Sequence, residues 1–248
     1  ISEWNTSNVT SMEYMFFGAD SFNQSLTDWN TSNVTEMDRM FSEALSFNGD
    51  ISGWDTGNVE SMSYMFDGAI SFNQEIGDWD TSSVTTMERM FDNADAFNQD
   101  ISGWDVSNVK HLRGAFEKAE SFNQNISGWK TAAVTDMSDI LRGAQAFDQD
   151  LSGWNVDGVT NHSLFDEGAD NWCGLGFNNR GRPSDWVPTD TVGCLNVVLQ
   201  APLSSSVGDE FDYAKEFKTI NLKEFSKAIY FIEITTNDGI INKKLILQ

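Results

Sequence analysis

The chain predicts an α/β solenoid of about seven 25-residue strand–helix units, and three observations carry that expectation. Trp4, Trp29, Trp54, Trp79, Trp104, Trp129 and Trp154 recur every 25 residues. Val59, Ala69 and Phe72 follow Trp54 at spacings that the neighbouring units repeat, and all nine methionines fall in two further rows of the same register. A period this long, kept without insertion through six turns, is the mark of stacked units that bury a continuous core. The third observation is a change of apolar spacing inside each unit, from helical to extended.

Each element follows from that change. Val59, Met62, Met65, Phe66 and Ala69 lie at spacings that share one helix face. Thr56, with Ser7, Ser32, Ser82 and Ser107 in sister units, stands where an N-cap is wanted, and Gly68 stands where the helix ends. Phe72 to Trp79 is too short for a helix and reads as a brief strand entering a turn. Stacked strands of this kind pair into a parallel sheet with rows about 4.8 Å apart.

Polar rows run through the same units. Asn23, Asn48, Asn73, Asn98 and Asn123, ending in Asp148, are expected to form a ladder that satisfies the backbone of successive turns. Asp50, Gln74, Glu75, Asp100 and Asp150 project from the strand side and form the candidate binding face. Its carboxylates repel one another, so they are solvated or neutralised by a cation, with calcium the alternative to no cofactor at all. Thr6, Thr31, Thr56, Thr81 and Thr131, and a second row at Thr10, Thr35, Thr85, Thr135 and Thr160, offer a further reading as a hydroxyl lattice for ice or glycan.

Charge and composition exclude whole classes. With 40% hydrophobic residues and nine tryptophans the chain buries enough to fold, so its net charge of −23 describes an acidic surface. A phosphate backbone is bound by neutralising it with Lys and Arg, which excludes nucleic acid as partner. No apolar run is long enough to span a bilayer, so no transmembrane segment is expected. The chain begins at Ile1 with neither Met nor an apolar leader, as a fragment or processed form would. Catalysis is not expected. His111 and His162 stand in or beside repeat rows without a second ligand at metal spacing, and no carboxylate pair is singled out for acid and base work.

The repeat occupies 1–172. Residues 173–202, with all three prolines and both cysteines, read as a C-terminal cap in which Cys173 and Cys194 form a candidate disulfide adding about 3 kcal/mol. Residues 203–248 form a separate tail, six Lys against seven acidic residues. Ala228 to Thr235, the turn Asn237, Asp238 and Gly239, and Ile240 to Leu247 read as a β-hairpin, with a short lead-in strand near Ile220 and Leu222.

Two resemblances follow from these residues. The unit Phe72, Asn73, Gln74, Trp79, Asp80, Thr81, Ser82 and Met87 to Phe91 resembles the bacterial surface-protein repeat of about 25 residues grouped with the BspA-type leucine-rich repeats. That resemblance implies a leucine-rich-repeat-like fold, a secreted or outer-surface location, and adhesion to a protein or glycan at the cell surface. The tail from Ile220 through Tyr230 and Phe231 to Leu247 is similar to part of the C-terminal sorting domain of type IX secretion cargo in Bacteroidota. This implies recognition by the sorting machinery. The function expected is a non-enzymatic binding module, with a structural spacer or stalk as the alternative.

Overall fold

The computed structural model describes residues 1, 3–169, 196–200, 229–236 and 239–246. The chain divides into two compact units, Ile1–Val187 and Pro188–Gln248. The first is a stack of 25-residue coils in which the described residues form neither helix nor named strand. The α/β strand–helix expectation is therefore corrected: each coil is a chain of tight turns.

The reason lies in where the backbone N–H groups go. Met62, Tyr64, Phe66 and Gly68 donate to the carbonyls of Thr86, Glu88, Met90 and Asp92 in the next coil, at 2.7–3.2 Å. The alternate amides of Met65, Asp67 and Ala69 close three-residue turns onto Met62, Tyr64 and Phe66. An amide spent on a neighbouring coil cannot also bond the carbonyl four residues back, so the segment that shares one helix face by spacing has no helical ladder. Two left-handed residues per coil make the turns possible, Tyr64 (φ 59) and Gly68 (φ 70) here. The row of Gly68 also contains Glu43, Asn93 and Lys118, which hold the same left-handed backbone with a Cβ. The segment from Phe72 to Trp79 is not a sheet strand either. Parallel pairing between coils is reduced to single bridges, which run Ser11, Glu36, Ser61, Thr86, His111, Asp136 and Asn161.

Three aromatic rows fill the coils. The Trp row stacks at 6.0–6.5 Å between ring centroids. The row Phe16, Phe41, Phe66, Phe91 and Phe116 stacks at 5.4–5.7 Å. The row from Phe22 to Phe147 stacks at 5.8–6.0 Å. Within each coil the two Phe rings meet at 3.8–4.1 Å. From Trp29 onward the indoles are tied as well as packed: Trp54, Trp104 and Trp154, for example, donate Nε1–H to the carbonyls of Leu26, Ile76 and Ile126 at 3.0 Å. Burying a Trp with its N–H satisfied avoids the cost of an orphan donor.

The residues expected as N-caps serve another purpose. Ser7, Ser32 and Ser82 bond back to Asn5, Asn30 and Asp80 in Asx turns. The Thr row beside them is buried, and Thr31, Thr56, Thr81 and Thr131 donate their hydroxyls to the next coil's carbonyls at 2.8–3.0 Å. The expected asparagine ladder is present. Asn48, Asn73, Asn98, Asn123 and Asp148 each donate backbone N–H to the side-chain oxygen one coil earlier, at 2.8–3.0 Å.

In the second unit, β1 (Asn196–Gln200), β2 (Ile229–Thr236) and β3 (Gly239–Ile246) form one sheet in that order. The pair β2–β3 is antiparallel, with Thr236 opposite Gly239, at the site read as a hairpin. The parallel partner is β1, from the segment read as cap, and not a strand near Ile220 and Leu222, which lie outside the described residues. Cys173 and Cys194 also lie outside them.

Two substitutions in the buried hydroxyl row test this account. Thr81→Val leaves the Asp105 carbonyl without its donor and is expected to cost about 1 kcal/mol. Val106→Thr, in the same row, whose threonines bond the carbonyl 24 residues on, is expected to return stability of about that size. Urea unfolding of the full chain measures both, and equal effects of the same sign would contradict the assignment.

Candidate functional site

The acidic row read as a binding face is occupied chiefly with its own turns. Asp50, Asp100 and Asp150 accept the backbone N–H of Ser52, Ser102 and Ser152 at 2.9–3.0 Å. The backbone and hydroxyl bonds from Ser52 and Ser102 hold the Asp50 and Asp100 carboxyls below the usual carboxylate range. The glutamine row is likewise structural: Gln99 and Gln124, one and two coils beyond Gln74, each donate Nε2–H to the backbone and side-chain oxygens of Asn73 and Asn98.

The structure does bring part of the predicted face together. Glu75, Asp78 and Asp100 line an open depression together with Gly77, Ser102 and Gly103. A Cβ on Gly77 would collide with the Asp100 carbonyl, so glycine there lets adjoining coils approach. Asp50 borders this region through its partner Ser52, and Asp150 stands two coils beyond Asp100 in the same row. No cluster of His, Cys, Asp or Glu able to hold a metal ion occurs among the described residues. The two threonine rows also have prior engagements. The first is buried, and Thr35, Thr85, Thr135 and Thr160 donate their hydroxyls to the preceding coil's backbone at 3.1–3.2 Å.

A different face carries side chains that change chemical class from coil to coil. One row reads Tyr14, Arg39, Tyr64, Arg89, Gly114, Asp139 and Leu164; another reads Phe17, Ser42, Asp67, Asp92, Glu117, Arg142 and Glu167. In the early coils Arg39 stacks on Tyr64 with its guanidinium carbon 3.8 Å from the ring centroid, a cation–π contact. Tyr64 in turn donates Oη–H to Glu88 at 3.1 Å. Phe17, Leu45 and Ile70 are exposed on these coils. The later coils replace this with a charged network. Arg89 pairs with Asp92, and also with Glu117 at 3.0 Å; Arg142 reaches Glu117 at 3.3 Å and Glu167 at 3.0 Å.

Asp92 and Glu117 are each only 3% exposed, an unusual depth for carboxylates on the side of a coil. Burial, then repulsion from Glu117, pushes the Asp92 carboxyl up to about 6 against the opposing pull of Arg89. Burial likewise raises Asp67. Sequence reading passed over this face because it followed the constant rows. The signal was present in the rows that break identity, where Tyr14, Arg39, Tyr64, Arg89 and Gly114 share one position of the repeat and Phe17, Ser42, Asp67 and Glu117 share another.

The fold and its faces define a repeat protein whose coils are built from turns and held by side-chain and backbone ladders. The chain belongs to the family described as "Mycoplasma protein of unknown function, DUF285", which matches residues 1–85 and again 71–173. No curated protein and no solved structure matches it. Among the described residues no helix is long and apolar enough to cross a membrane.

The buried carboxylate makes a pH prediction. Because the folded-state pKa of Asp92 lies above its ordinary 3.8, the stability it contributes is fully present below that value and is lost as pH rises through about 6. The interval corresponds to on the order of 3 kcal/mol. Asp50, Asp80, Asp100 and Asp105, held below their usual range, act in the opposite direction and lose their contribution only as pH falls below the ordinary carboxylate value. Urea unfolding between pH 4 and pH 7 is therefore expected to show a loss of stability that Asp92→Asn flattens. Parallel profiles for the two proteins would refute the assignment.

Proposed function

We propose that the coil stack is a non-enzymatic binding and adhesion module of a secreted or cell-surface protein. One observation carries the reading: on a scaffold whose interior rows scarcely change, the rows beginning at Tyr14 and Phe17 change chemical class from coil to coil. A surface that only had to space other domains has no need of that individual character. A rigid array of differing side chains is what repeat scaffolds offer to extended partners. A protein or glycan with basic or polar groups suits the acidic surface, and charge complementarity would set its rate of encounter.

For the tail, the paired β2 and β3 and the stretch from Ile220 to Leu247 support a β-rich element similar to type IX sorting domains. Deleting residues 203–248 in an exporting bacterium is expected to leave the protein inside the cell. Unchanged export would end the sorting reading.

The binding reading is tested with the full chain immobilised against extracellular-matrix proteins and surface glycans, at low and physiological salt. Saturable binding that weakens with salt, and that falls at least about tenfold on replacing Arg39 and Tyr64 by alanine, is expected. No saturable binding at either salt would favour the spacer reading, which the uniformity of the interior rows supports.

A further inference from the structure

Among the described residues, Arg39 is the one arginine whose charge has no partner. Arg89 pairs with Asp92 and Glu117, Arg113 with Glu88 and Asp139, and Arg142 with Glu117, Asp139 and Glu167. The Arg39 guanidinium makes no ion pair and no hydrogen bond among the described residues. It rests instead on aromatic rings, with its central carbon 3.8 Å from the Tyr64 centroid and 5.9 Å from that of Tyr14. A cation–π contact holds the charge in place and leaves its N–H donors unused.

The coils around Arg39 withhold each partner that the same row supplies to Arg89. Arg89 reaches Asp92 three residues on and Glu117 in the next coil, passing Gly114, where a Cβ would stand 3.0 Å from its Cγ. The matching positions around Arg39 hold Ser42, Asp67 and Tyr64. Ser42 brings no charge, and Asp67, one methylene shorter than Glu117, accepts the Ser42 hydroxyl at 3.4 Å. Tyr64 stands where Gly114 leaves room and carries the guanidinium on its face. Burial raises the Asp67 carboxyl and the Arg39 charge opposes that shift, so the two groups sense each other without an ion pair. The backbone gives a second indication. This row is left-handed in every coil, with Arg39 at φ 56 and Tyr64 at φ 59, yet glycine occurs in it only at Gly114. The other left-handed row uses glycine at Gly18, Gly68, Gly143 and Gly168. Side chains kept where the backbone disfavours them mark a position whose side chains have work to do.

A guanidinium stacked on a ring keeps its N–H groups at its edge, where they match the two oxygens of a planar carboxylate. The charged groups beside it are acceptors: Asp67, and Glu88, which already takes the Tyr64 hydroxyl at 3.1 Å. Carboxylates in these places repel an acidic peptide, but they accept hydrogen bonds from sugar hydroxyls. The net charge of −23 likewise turns away a polyanion. Resting on the binding reading above, we propose that Arg39, Tyr64 and Asp67 form a subsite for a sugar that carries a single carboxylate. The Arg39 fork takes the carboxylate, and Asp67 and Glu88 accept hydroxyls of the same ligand.

The test titrates the full chain by NMR with methyl β-glucuronide against methyl β-glucoside, a pair that differs only by carboxylate in place of hydroxymethyl. Sialyllactose against lactose makes a second pair. Each carboxylated sugar is expected to bind at least about tenfold tighter than its neutral counterpart and to shift the Arg39 Nε–H and Tyr64 ring signals. Arg39→Gln is expected to erase the difference, and Arg39→Lys, which keeps the charge but not the fork, to retain only part of it. Lys130→Gln removes a positive charge elsewhere and is expected to leave the difference intact, which separates the local guanidinium from net charge. Equal binding of charged and neutral sugars would overturn the proposal. N-acetylglutamate binding as tightly as the carboxylated sugars would also overturn it, by giving the site to an acidic polypeptide. Saturable matrix binding that persists without sugar discrimination would end the subsite and leave the binding reading standing, whereas loss of both would end both.

Discussion

Amides that bond across coils decide everything else in the repeat unit. A backbone N–H makes one good hydrogen bond, and giving every second one to the neighbouring coil leaves the others to close turns within their own. That division fixes the coil-to-coil register at 25 residues and places the apolar side chains inward. It also explains why the core is made of stacked identical rings: side chains in equivalent positions of registered coils have no choice but to lie over one another. Phe66 shows the consequence, touching Phe41 and Phe91 in its own row, Phe72 within its coil and Trp79 beyond.

The polar ladders serve the same constraint. A coil of turns has many backbone groups that its own turns cannot satisfy, and the buried Thr hydroxyls, the Asn side-chain oxygens and the Trp indoles each take one of them. This accounts for the presence of Thr and Asn deep in the repeat pattern. It also explains why Val106 is tolerated in the Thr row: one lost hydroxyl in a stack of many bonds leaves the register intact. The surface is where the chain is free to vary, and the contrast between the Arg39–Tyr64 stack and the Arg89–Asp92–Glu117 network shows that freedom in use.

The repeat length, the membership of the aromatic rows and the asparagine ladder were legible in the amino-acid order, because each depends on identity at a fixed period. The helix was not. Val59, Met62, Met65, Phe66 and Ala69 point inward at spacings of three and four in either a helix or a chain of turns, so periodicity could not separate the two. The telling residue was Gly68, whose counterparts Gly18, Gly143 and Gly168 mark a left-handed position in mid-segment where a helix would end. The acidic row was legible, but its part in the backbone was not, since an Asp two residues before a Ser is as much an Asx turn as a binding group. The varied face required knowing that the rows of Tyr14 and Phe17 lie on the same side of the coil, which only the folded backbone supplies.

The central claim is that inter-coil bonds replace helical ones, and through-hydrogen-bond NMR couplings address it most directly. The account predicts coupling from the Phe66 amide to the Met90 carbonyl, with matching couplings from Tyr64 to Glu88 and from Gly68 to Asp92. Coupling from the Phe66 amide to the carbonyl of Met62, four residues back, would restore the helix and contradict the account.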